Sequence, residues 1–154
     1  ALPIYTLTSQ TALQKAFSVT GATGGAFTAA AGGLYRFRGL IELAALSSSS
    51  GTISLGFLGT ATLTRIYWQA QSAKATQSQG SDNVTRATVA TATAVTAASV
   101  ATLGFIEFRG TVKINVGGTF IPAVGMSVAA AATVKAGSYF EIELMSDPFQ
   151  GAFT

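Results

Sequence analysis

Apolar and polar residues alternate at every second position in four stretches of the chain, the pattern of a strand with one buried and one wet face. In residues 34–43, Tyr35, Phe37, Ile41 and Leu43 share one face, and Arg36, Arg38 and Glu42 share the other. Residues 52–58 set Ile53, Leu55 and Phe57 against Thr52, Ser54 and Gly56. Residues 105–114 set Ile106, Phe108, Val112 and Ile114 against Glu107, Arg109, Thr111 and Lys113. Residues 138–145 set Phe140, Ile142 and Leu144 against Glu141 and Glu143. Weaker patterns predict strands at 4–8, 13–19, 61–70, 87–97 and 119–128. Gly- and Ser-rich turns separate them at 21–25, 32–33, 47–51, 80–83, 117–118 and 137. The Ala-rich pieces 28–31 and 129–132 read as loops or strand ends. The polar stretch 70–86 reads as a long exposed loop.

About eight or nine short antiparallel strands without an amphipathic helix predict an all-β fold, a β-sandwich of jelly-roll type. A length of 154 residues fits one domain. That domain spans 1–154, with a short N-terminal arm over about 1–8 and a C-terminal tail over about 146–154. One internal echo joins two strands: Phe37-Arg38-Gly39 is repeated as Phe108-Arg109-Gly110. Two central strands in equivalent places of two sheet halves would produce it, as would chance. A glycine in mid-strand points to a kink or a close approach of another group.

Charged residues make up only 10% of the chain, against about 25% in an average soluble domain. The polar surface must therefore be built from Ser, Thr, Gln and backbone. Such a surface suits a subunit whose faces are covered by other subunits. Nine basic and six acidic residues leave a net charge of +3, too diffuse along the chain for a nucleic-acid footprint. The uncharged runs 16–35, 43–64, 87–106 and 114–134 are long enough for membrane spans. Gly, Ser, Thr and Pro122 interrupt them, so no membrane segment is expected. Residues 1–20 do not read as a signal peptide, because Lys15 follows the mild apolar stretch instead of preceding it.

Candidate chemistry is sparse. With no histidine, the commonest general base and metal ligand are both missing. With no cysteine, there is no disulfide or thiolate site. A Ser/Lys dyad could draw on Lys15, Lys74, Lys113 or Lys135, but no serine motif surrounds them. Glu141 and Glu143 share one strand face, about 7 Å apart. A glycosidase-like carboxylate pair could draw on Glu42, Glu107, Glu141, Glu143, Asp82 or Asp147; the other reading of Glu141 and Glu143 is a solvated face paired with Arg or Lys on a neighbouring strand. Gly21 to Gly25 lacks the Lys-Ser/Thr that a phosphate loop needs. Asp82-Asn83 offers a thin oxygen site for a cation. No catalytic residue, metal or cofactor is assigned. Tyr67 and Trp68 must point to opposite faces of a strand, so at most one lies in the core and the other could anchor an interface.

The strand and turn wording resembles a domain of tailed-bacteriophage structural proteins. Gly33 to Phe37 reads Gly-Leu-Tyr-x-Phe, and Phe57 to Thr64 reads Phe-x-Gly-Thr-Ala-Thr-Leu-Thr. Gly110 to Pro122 reads Gly-Thr-x-x-x-Asn-x-x-Gly-Thr-x-Ile-Pro, and Lys135 to Phe140 reads Lys-x-Gly-Ser-Tyr-Phe. The resemblance spans most of 30–145 and implies a virion protein assembled in the host cytoplasm. The expected role is a non-enzymatic capsid decoration or cement protein that binds the major capsid protein. The alternative is a receptor- or glycan-binding module of a fibre. The resemblance and the weakly charged surface together imply a homotrimer. Expected interface residues are Leu2, Ile4, Tyr5, Arg36, Arg38, Trp68, Arg109, Phe149 and Phe153. Both apolar chain ends are expected to be ordered by contacts with other subunits.

Overall fold

The computed structural model describes residues 5–17, 26–74 and 83–145. In chain order the strands are β1 (Tyr5–Thr6), β2 (Gln14–Lys15), β3 (Phe27–Ala29), β4 (Leu34–Ala44), β5 (Ile53–Leu58), β6 (Thr62–Lys74), β7 (Asn83–Ala87), β8 (Thr93–Ala94), β9 (Gly104–Val116), β10 (Gly118–Met126), β11 (Thr133–Val134) and β12 (Tyr139–Leu144). Among the described residues there is no helix. The strands form two antiparallel sheets. The large one has the order β1-β11-β4-β9-β6-β7, with β12 also beside β4. The small one has the order β2-β10-β5-β8, with β3 also beside β10. The all-β sandwich expected from the alternation is the observed architecture. These strand orders do not establish a jelly roll.

The inward faces are the apolar phases of the alternating segments, except along β12, where Phe140 and Ile142 are only partly buried and Leu144, expected inward, is 62% exposed at the strand's end. Tyr35, Phe37, Ile41 and Leu43 of β4 face Ile53, Leu55 and Phe57 of β5 across a core completed by β6, β9 and β10, and all of them are buried. At its centre the Phe57 and Phe120 rings stack at 4.9 Å, and Phe37 meets Phe57 edge-on at 5.1 Å. Burying each ring contributes about 1.5–3 kcal/mol. Good ring pairs add about 0.5–1.5 kcal/mol.

The Phe-Arg-Gly echo has a different basis from the one expected. Its two copies are not in separate sheet halves: β4 and β9 are direct antiparallel neighbours, with Phe37 opposite Gly110 and Gly39 opposite Phe108. Each ring lies over the glycine of the other strand. A Cβ on Gly110 would sit 2.6 Å from Phe37 Cζ, and one on Gly39 would sit 2.5 Å from Phe108 Cζ. The close approach inferred from the mid-strand glycines is therefore an aromatic ring from the adjacent strand.

Several element boundaries depart from the sequence expectation. The described residues form twelve strands rather than eight or nine, because short pairings of two or three residues occur at β1, β2, β3, β8 and β11. The predicted strand 87–97 is split between β7, which ends at Ala87 in the large sheet, and β8 in the small sheet. The predicted loop 70–86 contains the end of β6 and nearly all of β7, which pair from Trp68↔Ala87 to Ser72↔Asn83. Its polar wording hid the strand because two inward residues, Ser72 and Lys74, are themselves polar. Ser72 Oγ donates to the Val95 carbonyl, and Lys74 Nζ donates to the carbonyls of Gly51 and Ser99.

The described part of the N-terminal arm belongs to the chain's own sheet. Tyr5 and Thr6 pair with Val134 and Thr133, and buried Leu7 donates its N–H to the Ala132 carbonyl at 2.7 Å. Leu2, Ile4, Phe149, Phe153 and the tail 146–154 lie outside the described residues, as does the Tyr5 side chain.

Candidate functional site

The outward phase of the large sheet gathers most of the chain's charge. By strand register, three rows run across it. The first is Tyr139, Leu40, Glu107, Gln71 and Val84; the second is Glu141, Arg38, Arg109, Gln69 and Arg86; the third is Glu143, Arg36, Thr111 and Tyr67. Glu42 lies beyond the first row, and Lys113 and Arg65 beyond the third, on the same face. Six of the nine basic residues and four of the six acidic ones therefore share one face. The outward phase of the small sheet carries Lys15 alone among the described residues. Leu13 crosses that side close to Gly56 and Gly125. The charge that looked diffuse along the chain is concentrated because β4, β6, β9 and β12 put their polar phases on one side.

The middle of this face is a shallow open concavity of about 950 Å³. Its polar lining comes from Arg36, Arg38, Gln69, Gln71, Glu107, Arg109, Thr111, Tyr139, Glu141 and Glu143. Arg38 and Arg109 are directly opposed, a repulsive arrangement on neighbouring strands. Each guanidinium has a neighbour that offsets this. Arg38 Nε donates to Glu141 Oε2 at 2.6 Å. That hydrogen bond, helped by the carboxylate's charge, holds Arg38 above its ordinary pKa. The Gln69 amide, set with its oxygen toward Arg109, accepts from Nε at 2.9 Å and Nη2 at 2.8 Å. Arg36 Nη2 donates to Glu143 Oε1. Glu141 and Glu143 thus form the solvated face paired with arginines of a neighbouring strand that was set against a carboxylate dyad.

Of the residues expected at an interface, Arg36, Arg38 and Arg109 are brought together here. Trp68 is not at the surface: it is only 3% exposed, meets Phe57 edge-on, and donates Nε1–H to the Val89 carbonyl at 2.8 Å. Its phase on β6 is the core phase, so its neighbour Tyr67, 53% exposed, is the one that faces outward. Gln69 and Tyr139 were not singled out from the sequence. Their polar phase was readable, but their proximity to Arg38 depends on which strands are neighbours.

Lys74 is the second notable side chain. It is only 3% exposed, and burial pushes its ammonium below the usual lysine value. Its Nζ donates to the backbone carbonyls of Gly51 and Ser99 and so ties those two segments together. Among the described residues, no group of three His, Cys, Asp or Glu is close enough to hold a metal. Asp82 of the Asp82-Asn83 pair lies outside the described residues. No helix of the described residues is long and apolar enough to cross a membrane. Compared with protein-family models, curated proteins and solved structures, the chain matches none.

Proposed function

We propose that this chain is a non-enzymatic assembly module of a virus particle: a decoration protein that binds the outer surface of a tailed-phage head as a homotrimer and stabilises the shell. The observation that carries this reading is the segregation of charge. One sandwich face holds ten of the ionic side chains, while the opposite side is almost free of charge among the described residues. Interface centres are depleted of charge because a buried ion must be desolvated. The small-sheet side suits burial against other copies or a shell, and the large-sheet face suits water. The resemblance of its strand and turn wording to phage structural proteins suggests the setting. No step of the proposed role needs a cofactor, nucleic acid or membrane.

The test uses heads assembled without this chain. Incubated with the purified full chain and imaged, they should carry density at every equivalent position of the outer lattice. Light scattering should give a particle of three 15.6 kDa chains. Ala94→Glu, on the small-sheet side, should weaken binding, whereas Arg86→Gln on the large-sheet face should not. Binding confined to the tail, a monomer at micromolar concentration, or the reverse pattern of variant effects would overturn the reading.

A further inference from the structure

We infer that the concavity on the outer face of the large sheet is a binding site for an uncharged oligosaccharide. This is independent of the particle role, since it concerns the face that role leaves in water.

The lining favours neither of the commoner occupants of a charged sheet face. A polyanion is drawn by net positive potential. Here the three arginines and three glutamates of the concavity cancel, and the face's remaining charge lies outside the lining, on Arg65, Arg86, Lys113 and Glu42. A protein partner wants an apolar, well-packed centre. Here the centre is the Arg38–Arg109 pair with Gln69 beside it. What remains is a dense set of planar carboxylate, guanidinium and amide groups with zero net charge. Such groups offer paired donors and acceptors at fixed geometry, which match adjacent sugar hydroxyls, each both donor and acceptor.

Two further features fit. The forks are held before any ligand arrives: Glu141 orients Arg38, and Gln69 grips Arg109 through two nitrogens. Pre-ordering lowers the entropy lost on binding. Exposed tyrosines also stand at opposite corners. Tyr139, in the lining, and Tyr67, just outside it, are 38% and 53% exposed, and an exposed tyrosine ring is a group of the kind that covers the C–H face of a sugar. They are three strands and four residues apart, so about 20 Å separates their backbones by strand spacing and rise. That span suits several linked sugars and is too long for one. The volume of about 950 Å³ lies at the upper end of ordinary ligand sites.

The full chain would be applied to an array of uncharged hexose and N-acetylhexosamine oligosaccharides, printed beside carboxylated and sulfated ones. Retention of at least one uncharged oligosaccharide is expected. Titration of that oligosaccharide should weaken by about tenfold or more in Arg109→Ala and in Tyr139→Ala, since each loses a group that touches the ligand. Lys135→Ala, outside the concavity, should bind as the parent does. Because the ligand is neutral, raising salt from about 50 to about 500 mM should change affinity by less than about threefold. All of these residues are exposed, and circular dichroism of the variants should match the parent. The inference fails if only charged glycans are retained, if no glycan is retained, or if Arg109→Ala and Tyr139→Ala both bind as tightly as the parent.

Discussion

Replacing Gly110 by alanine tests the crossed Phe-Gly arrangement directly. Gly110 lies mid-strand in β9, between β4 and β6, where a small apolar side chain would ordinarily be welcome. The structure gives that side chain no room. A Cβ there would meet the Tyr67 carbonyl oxygen at 2.3 Å, Phe37 Cζ at 2.6 Å and Trp68 Cβ at 2.8 Å. The ring could swing aside, but it is packed against Phe57, Phe108, Phe120 and Phe140. The carbonyl belongs to β6 and moves only if the sheet spreads. Overpacking a tight core costs about 1–3 kcal/mol, and a backbone clash puts this site near the upper end, about 3 kcal/mol. For a domain of this size that lowers Tm by about 6–12 °C. Urea denaturation followed by Trp68 fluorescence would measure it, with an unchanged slope showing that the denatured state is unaltered. The double variant Gly110→Ala/Phe37→Leu should recover little, because the nearest obstacle is backbone. If Gly110→Ala stays within about 0.5 kcal/mol of the parent, the ring-over-glycine account is wrong. Full recovery in the double variant would show that the ring alone resists.

Three other outcomes follow from single side chains. Burial lowers the pKa of Lys74 in the folded chain below 10.5. Between the folded value and 10.5 the unfolded chain therefore binds more protons, and stability should rise with pH through that window. The urea midpoint should climb there, and Lys74→Met should lose that part of the climb; equal slopes in both proteins would refute it. Trp68→Phe removes the bond to the Val89 carbonyl and shrinks a buried ring, and should cost about 1–3 kcal/mol, read by thermal melting. Glu143→Gln breaks an ion pair whose side chains are more than half exposed, and should change stability by less than about 1 kcal/mol, with the difference shrinking as salt rises.

Period-two alternation was enough to define the strong strands, because β4, β5 and β9 bury one face and wet the other, and β12 half-buries Phe140 and Ile142 while leaving Leu144 exposed. Residues 34–43, 52–58, 105–114 and 138–145 match β4, β5, β9 and β12 to within one or two residues. The same alternation named the core rings of Phe37, Phe57 and Phe108, and it placed Tyr67 and Trp68 on opposite faces without saying which was inside. It failed where an inward phase was polar. Ser72 and Lys74 look like loop residues until Val95, Gly51 and Ser99 bring carbonyls to them.

Strand neighbourhood was beyond the sequence, because side-chain periodicity fixes a strand's faces and leaves its partners open. The repeated Phe-Arg-Gly was visible as words. Only the antiparallel register of β4 and β9 sets each ring over the other strand's glycine and stands Arg38 opposite Arg109. The same holds for the concavity. Its groups come from β4, β6, β9 and β12, far apart along the chain, and they meet because hydrogen-bonded strands lie about 4.8 Å apart with their polar phases on one side. The sequence determined which residues of each alternating strand share a side, and the sheet order decided which of those sides lie together on one face.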